Sequence, residues 1–407
     1  MMRPHWTGFS REKANALDVG RGIAIISVIY GHALAPWFMG AGESFSEAAF
    51  LQWKFGASFM MAFFFFLSGV GWREDKALST TMRQALSLVL IALLASALYD
   101  VARLVATVTG LMPRLGADPM DPATFAGGVG RMTLFGDFFS LSALWFLVAL
   151  GLVHALAALA VRLPKAVAAV LAALLVATTL ASTELGWRNY WQINLLGVAF
   201  VFFIAGHATR SVFHAIERRP SAAYALLLIG GAVLAATFDL NQGCRWDASA
   251  VCGAPWLNDR FGVTMIHGQF GNLPLFAATS VAGVAFASAL AILLARFGGV
   301  VGRRLDAWGG NSLNLLVLNS LFLHVGNQLI SRFVAPHVAA DHAVFFIALL
   351  VVTVTANLIA LRVLERPLRW LHRIALTTAR RLVGAVAVAP TVLAWAVRGD
   401  RVSHRNE

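Results

Sequence analysis

Arg21 and His32 lie eleven residues apart inside the first long apolar run, LDVGRGIAIISVIYGHALAPWF. On an α-helix that spacing is about three turns plus ~20°, so both side chains leave one face, roughly 16 Å apart along the axis. Ionisable groups are costly in hydrocarbon, and a bilayer helix that carries them turns them toward a protein interior or a water-filled cavity. A guanidinium grips phosphate or carboxylate with a fork of N–H donors. An imidazole is the side chain best suited to proton transfer near neutral pH. An anion held at one membrane surface and a proton accepted about half a bilayer deeper is the chemistry this pair suggests. Structural readings compete with it: Arg21 can pair with Asp18 at i−3, and His32 can be satisfied by an interhelical hydrogen bond.

The elements that must position these groups are membrane helices. Of the 407 residues 59% are hydrophobic and 13% charged, whereas a soluble domain is near half apolar and a quarter charged. The expected fold is all-α: a polytopic membrane protein of about ten transmembrane helices, with both ends cytoplasmic. Apolar runs of spanning length fall at 17–37, 55–72, 85–108, 139–160, 165–182, 193–209, 222–238, 274–296, 312–335 and 343–364. With that count the inner loops carry twenty Lys and Arg and the outer ones six, the asymmetry that sets topology. The net charge of +12 is therefore read as membrane orientation and not as a nucleic-acid surface. A further run at 382–397, with a central proline and basic ends, is expected as an interfacial eleventh helix on the cytoplasmic face, a further span being the alternative. The domains follow: a cytoplasmic tail at 1–16, a membrane domain at 17–373, and a basic C-terminal helix and tail at 374–407. The tail carries no signal-peptide cleavage site, and the chain is expected in the inner, cytoplasmic membrane.

Cys244 and Cys252 fall in one predicted outer loop. On the oxidising side such a pair reads as a disulfide, two free thiols being the alternative. No metal-ligand spacing is present, and no metal is expected.

The Asp18-x-x-Arg21-Gly22 start, the ten residues from Arg21 to His32, FFFFLSGV at 63–70, LWFL at 144–147, FFIAG at 202–206 and ERPL at 365–368 together resemble the integral-membrane acyltransferase family 3. The resemblance runs from 17 to about 370. It implies an acyl-CoA-dependent transferase that moves acyl groups, mostly acetyl, from cytoplasmic acyl-CoA onto a carbohydrate or a lipid-linked sugar at or beyond the membrane. In family terms His32 is the histidine required for transfer, as a general base or as a transient acyl carrier. Arg21 belongs at the donor site, where acetyl-CoA or another acyl-CoA brings an anionic head and a pantetheine arm. Arg73 and Arg83 are further candidates for that head, although the positive-inside bias alone explains them. Many family members carry two arginines three apart here, whereas Leu86 follows Arg83 at i+3.

Supporting roles are expected for several other residues. Asp18 fixes the helix end, and Ser68 and Gly69 offer a packing site or a close backbone approach. Trp145 is an interface anchor or a sugar platform. Asn319 and His324 sit within the ninth span, the first for an interhelical hydrogen bond and the second for proton handling. Glu365 suits an inner-face ion pair. With no extracytoplasmic domain after the last helix, the chain is expected to act alone on its acceptor or to pass the acyl group to a separate protein. The competing class is a polytopic exporter of a small polar solute or glycan unit, although no internal repeat of the transporter kind is evident.

Overall fold

The computed structural model describes residues 14–38, 46–111, 120–136, 141–241, 262–335, 337–338 and 342–403. The Cys244–Cys252 pair lies outside these, as does the side chain of His324.

The described chain is helical, and its one β-feature is an isolated bridge between Thr264 and Gln269. In order the α-helices are α1 (Ala16–Leu34), α2 (Glu47–Ala57), α3 (Met60–Val70), α4 (Leu78–Val108), α5 (Pro122–Phe135), α6 (Trp145–Ala160), α7 (Lys165–Glu184) and α8 (Ile193–Ala208). They continue as α9 (Arg210–Arg218), α10 (Pro220–Thr237), α11 (Leu273–Phe297), α12 (Gly299–Gly310), α13 (Ser312–Phe333), α14 (Ala343–Val363) and α15 (Glu365–Ser403). Among the described residues eight segments are long and apolar enough to cross a bilayer, and shorter apolar helices occupy Trp145–Ala160 and Ser312–Leu323. These ten coincide with the ten runs read from the sequence.

Two boundaries differ from expectation. The second span is two helices, broken at Ser58–Phe59. Ser58 donates its hydroxyl to the Phe55 carbonyl at 2.7 Å, a local bond that competes with helix continuation. The Ser58 carbonyl left by the break accepts the Ser280 hydroxyl at 2.8 Å, as a polar backbone group in a membrane core requires. The C-terminal helix begins at Glu365, directly after α14, and packs along α4.

Small residues decide how close the helices come. A Cβ at Gly309 on α12 would collide with the Asp18 carbonyl, and one at Gly22 with the Leu305 carbonyl, so α12 lies directly across the N-terminal half of α1. Gly69 and Gly206 do the same for α3 and α8: each would drive a Cβ into the other helix's main chain, at Phe203 and Phe66 respectively. Such small-residue crossings let packing replace the hydrophobic effect that lipid cannot supply. The phenylalanine run that precedes Gly69 belongs to this core, with Phe63, Phe65 and Leu67 fully buried.

Candidate active site

His32 occupies the last turn of α1, and its own sequence explains how it is held. Pro36 stands four residues later and has no N–H, so the His32 carbonyl loses its α-helical donor. The Ala35 N–H takes that carbonyl in a tighter turn, and Asn327 Nδ2 on α13 donates to it at 3.0 Å. Eight residues earlier on α13, the buried Asn319 places its amide 2.7 Å from His32 Nδ1. One helix thus holds both the ring and the backbone of His32. At the C-terminal end of α1 the helix dipole also favours positive charge.

His32 lines a cavity of about 530 Å³. Ser27, Val28, Tyr30 and Gly31 of α1, Gln52 and Trp53 of α2, Met60 and Met61 of α3, and Trp145 and Phe146 of α6 form its walls, with Val263–Ile266 closing it on the loop side. Tyr30 donates its hydroxyl to Gln52 Oε1 at 2.5 Å, and Gln52 Nε2 donates to the Ala48 carbonyl at 3.1 Å. Among the described residues the lining contains no Lys, Arg, Asp or Glu. Trp145, expected at the membrane interface or beneath a sugar, is buried and lines this cavity.

The loop side is tied down. Lys54, almost fully buried, donates to the Asp239 carboxylate at 2.7 Å and to the Asp239 carbonyl at 3.0 Å. Asn189 Nδ2 donates to the Ile266 carbonyl at 2.7 Å, and Asn241 Nδ2 to that of Phe270 at 2.9 Å.

Arg21 stands outside the cavity. Its Nη1 donates to Asp18 Oδ1 at 2.9 Å, so the expected i−3 pair forms, and the side chain remains 33% exposed. Nη2 lies against the end of α3, 3.0 Å from where a Cβ on Gly71 would be. The lining contributed by α1 begins at Ser27, and Ala24 and Ile25, on the stripe between Arg21 and His32, are fully buried. The two residues share a helix face but are separated by a closed turn.

Several residues expected on the inner side gather around the strap after α3. Arg73 gives both arms of its fork to Asp75, at 3.1 and 2.6 Å; that hydrogen bonding holds the Asp75 carboxyl below the usual carboxylate range. Arg83 is half-buried, and its Nε has no hydrogen-bond partner. Arg210 Nη1 donates to the Trp72 carbonyl at 3.4 Å and Arg162 Nη2 to that of Lys76 at 3.0 Å, pinning the strap. His207 faces Glu74 at 3.5 Å and stacks edge-on with Trp72. His154 Nδ1 lies 2.8 Å from the Leu150 carbonyl.

The other expected residues have structural partners. Ser68 donates to Phe64 O at 2.8 Å, Gly69 is a helix crossing, and Glu365 lies 3.6 Å from Arg369 one turn on. Among the described residues no three His, Cys, Asp or Glu cluster as metal ligands.

Sequence reasoning missed Asn327, Tyr30 and Gln52. One signal was available: the proline at i+4 of His32 announces a carbonyl that needs a second donor.

A family model described as an acyltransferase domain matches residues 14–362, from the approach to α1 almost to the end of α14. No curated protein and no solved structure matches the chain.

Proposed function

Because the chain belongs to the acyltransferase 3 family, we propose that it takes an acyl group, acetyl being the expected one, from cytoplasmic acyl-CoA. It delivers that group to a hydroxyl of an envelope polysaccharide or a lipid-linked sugar in the cytoplasmic membrane. The observation that carries the reading is His32 at the wall of a 530 Å³ cavity with Asn319 against its Nδ1.

His32 acts as the general base. For Nε2 to accept a proton, Nδ1 must carry the other ring hydrogen. Asn319 receives that hydrogen through Oδ1 after a half-turn of its amide, and Oδ1 is a buried atom with no other partner. The acceptor hydroxyl loses its proton to Nε2 as its oxygen attacks the thioester carbonyl carbon. A carbon–oxygen bond forms, the carbon–sulfur bond breaks, and the proton leaves Nε2 for the departing thiolate. The C-terminal dipole of α1 favours the transient imidazolium. Arg21 holds the anionic head of the donor at the inner surface, and the pantetheine arm, ~15–20 Å long, is commensurate with its ~16 Å separation from His32. Arg83, half-buried with an unpartnered Nε, assists there. Arg73, whose fork Asp75 already fills, is the weaker candidate.

The test is His32→Ala in the full chain. Alkali-labile acyl esters on the envelope glycan are measured against wild type, with protein level checked in the membrane. Loss of the ester with normal protein level is the expected result; unchanged ester content refutes the reading.

A further inference from the structure

Among the described helical glycines some are set by packing, while others, including Gly127, Gly130 and Gly310, have open space where a Cβ would stand. Gly22, Gly69, Gly206 and Gly309 are packing glycines, each of which would drive a Cβ into a neighbouring main chain. Gly31 and Gly56 are different. A Cβ on Gly56 would meet nothing within 4 Å, and one on Gly31 only Trp53 Cδ1, at an ordinary 3.8 Å. Neither has positive φ. Glycine in a helix costs about 0.5–1 kcal/mol relative to alanine, so neither helix packing nor backbone conformation accounts for these two. Both line the cavity that contains His32. What they provide is free volume beside it.

The groups around that volume define what fits. Gln52 is one turn before Gly56 on α2, and Tyr30 adjoins Gly31 on α1. Their mutual hydrogen bond uses one lone pair of Gln52 Oε1, and the bond to Ala48 uses one of the two Nε2 hydrogens. Each group therefore keeps hydrogen-bonding capacity to spare. Trp53 adds an aromatic wall, and no ionised side chain type occurs in the described lining. Neutral polar groups beside an aromatic wall suit a neutral body with an apolar face and an equatorial rim of hydroxyls, which is a pyranose ring.

We propose that Gly31, Gly56, Gln52, Tyr30 and Trp53 form the acceptor subsite, seating an uncharged sugar ring with one hydroxyl at His32. This rests on the acyl-transfer reading and adds to it where the acceptor lies. The donor reaches the same histidine from the opposite side.

The test fills the space. Gly56→Leu adds a side chain where no atom stands, and Gly127→Leu on α5, where a Cβ likewise meets nothing within 4 Å, is the control. Full-length protein is assayed two ways: transfer of label from radiolabelled acetyl-CoA to envelope glycan in membranes, and the thermal shift given by CoA on purified protein. Gly56→Leu is expected to lower transfer at least tenfold while the CoA shift stays within about 1 °C of wild type; Gly127→Leu changes neither.

Transfer by Gly56→Leu within twofold of wild type overturns the subsite and leaves the acyl-transfer reading standing. Loss of the CoA shift together with transfer also overturns it, by assigning the cavity to the donor. A wild-type protein that neither binds CoA nor transfers label removes the acyl-transfer reading and the subsite with it. Should Gly56→Leu fail to accumulate, Gly31→Ala replaces it. One methyl in ordinary contact with Trp53 is expected to raise KM for the acceptor several-fold with KM for acetyl-CoA unchanged, and an unchanged acceptor KM overturns the proposal.

Discussion

Asn319→Leu isolates the contact on which the proposed base depends. The replacement keeps the branched skeleton of asparagine inside α13 and removes the polar group 2.7 Å from His32 Nδ1. A neutral hydrogen bond contributes about 0.5–1.5 kcal/mol net, and a buried polar atom left unpaired costs about 1–3 kcal/mol. If ring orientation is needed in the transition state, about 1.5–3 kcal/mol is lost there, and at ~1.36 kcal/mol per decade the rate falls about ten- to hundredfold. Arg21, not Asn319, is assigned to the donor head, so KM for acetyl-CoA is expected to stay constant while kcat falls. The assay is the initial rate of label transfer at several acetyl-CoA concentrations. Asn327→Leu is the comparison, because Asn327 donates to the His32 carbonyl and not to the ring. It is expected to lower thermal stability by about 0.5–1.5 kcal/mol with kcat within a few-fold of wild type. Equal kcat in Asn319→Leu and wild type refutes the orienting role, and equal losses in the two variants reduce both asparagines to packing.

Two further predictions concern the scaffold. Gly309→Ala forces a methyl into the Asp18 carbonyl, and overpacking of this kind costs about 1–3 kcal/mol; thermal unfolding in detergent should show a clear fall in midpoint, and Gly310→Ala, whose Cβ would meet nothing within 4 Å, should not. His372 on α15 lies 2.8 Å from Asn314 Oδ1, with Nε2 as the donor, and burial pushes it down to about 4 from an ordinary 6.5. Because its folded pKa is below its unfolded one, its contribution is complete above pH 6.5. It fades as pH falls toward 4 and is worth at most about 3 kcal/mol. Midpoints measured from pH 7 to 4 should decline more steeply in wild type than in His372→Gln, and parallel declines would show that His372 is not responsible.

Much of this architecture was legible in the sequence because membrane helices obey simple constraints. Hydrocarbon thickness fixes run length, so ten apolar spans are readable from the sequence alone. The Asp18–Arg21 pair follows from helical spacing alone. The break at Ser58 was not legible, since a hydroxyl bonding back to its own helix leaves no trace in a hydropathy profile. Glycines were the least legible residues. Gly22 and Gly56 look alike as letters, yet a backbone carbonyl demands the first, while a Cβ on the second would meet nothing within 4 Å. Only the neighbouring helix distinguishes them. His207 likewise became interpretable once the strap carrying Trp72 and Glu74 was placed beside it.

The closed turn between Arg21 and His32 bears on how the two reactants share one base. Gly22 and Gly309 bring the N-terminal half of α1 into direct main-chain contact with α12, with the Asp18 carbonyl beneath Gly309. Ala24 and Ile25 are fully buried on the connecting stripe, and the cavity stops at Ser27. A path opened there by side-chain movement alone is narrow. Of the parts of an acyl-CoA only the acyl group and the thin pantetheine arm would pass, while the phosphate-bearing head stays with Arg21. If the donor enters past Arg21 and the acceptor sits in the cavity, as proposed, the two approach His32 from opposite faces and do not compete for one volume, so saturating CoA should leave KM for the acceptor unchanged. A CoA concentration that raises the acceptor KM in proportion would place both ligands in one compartment and undo this division of the site.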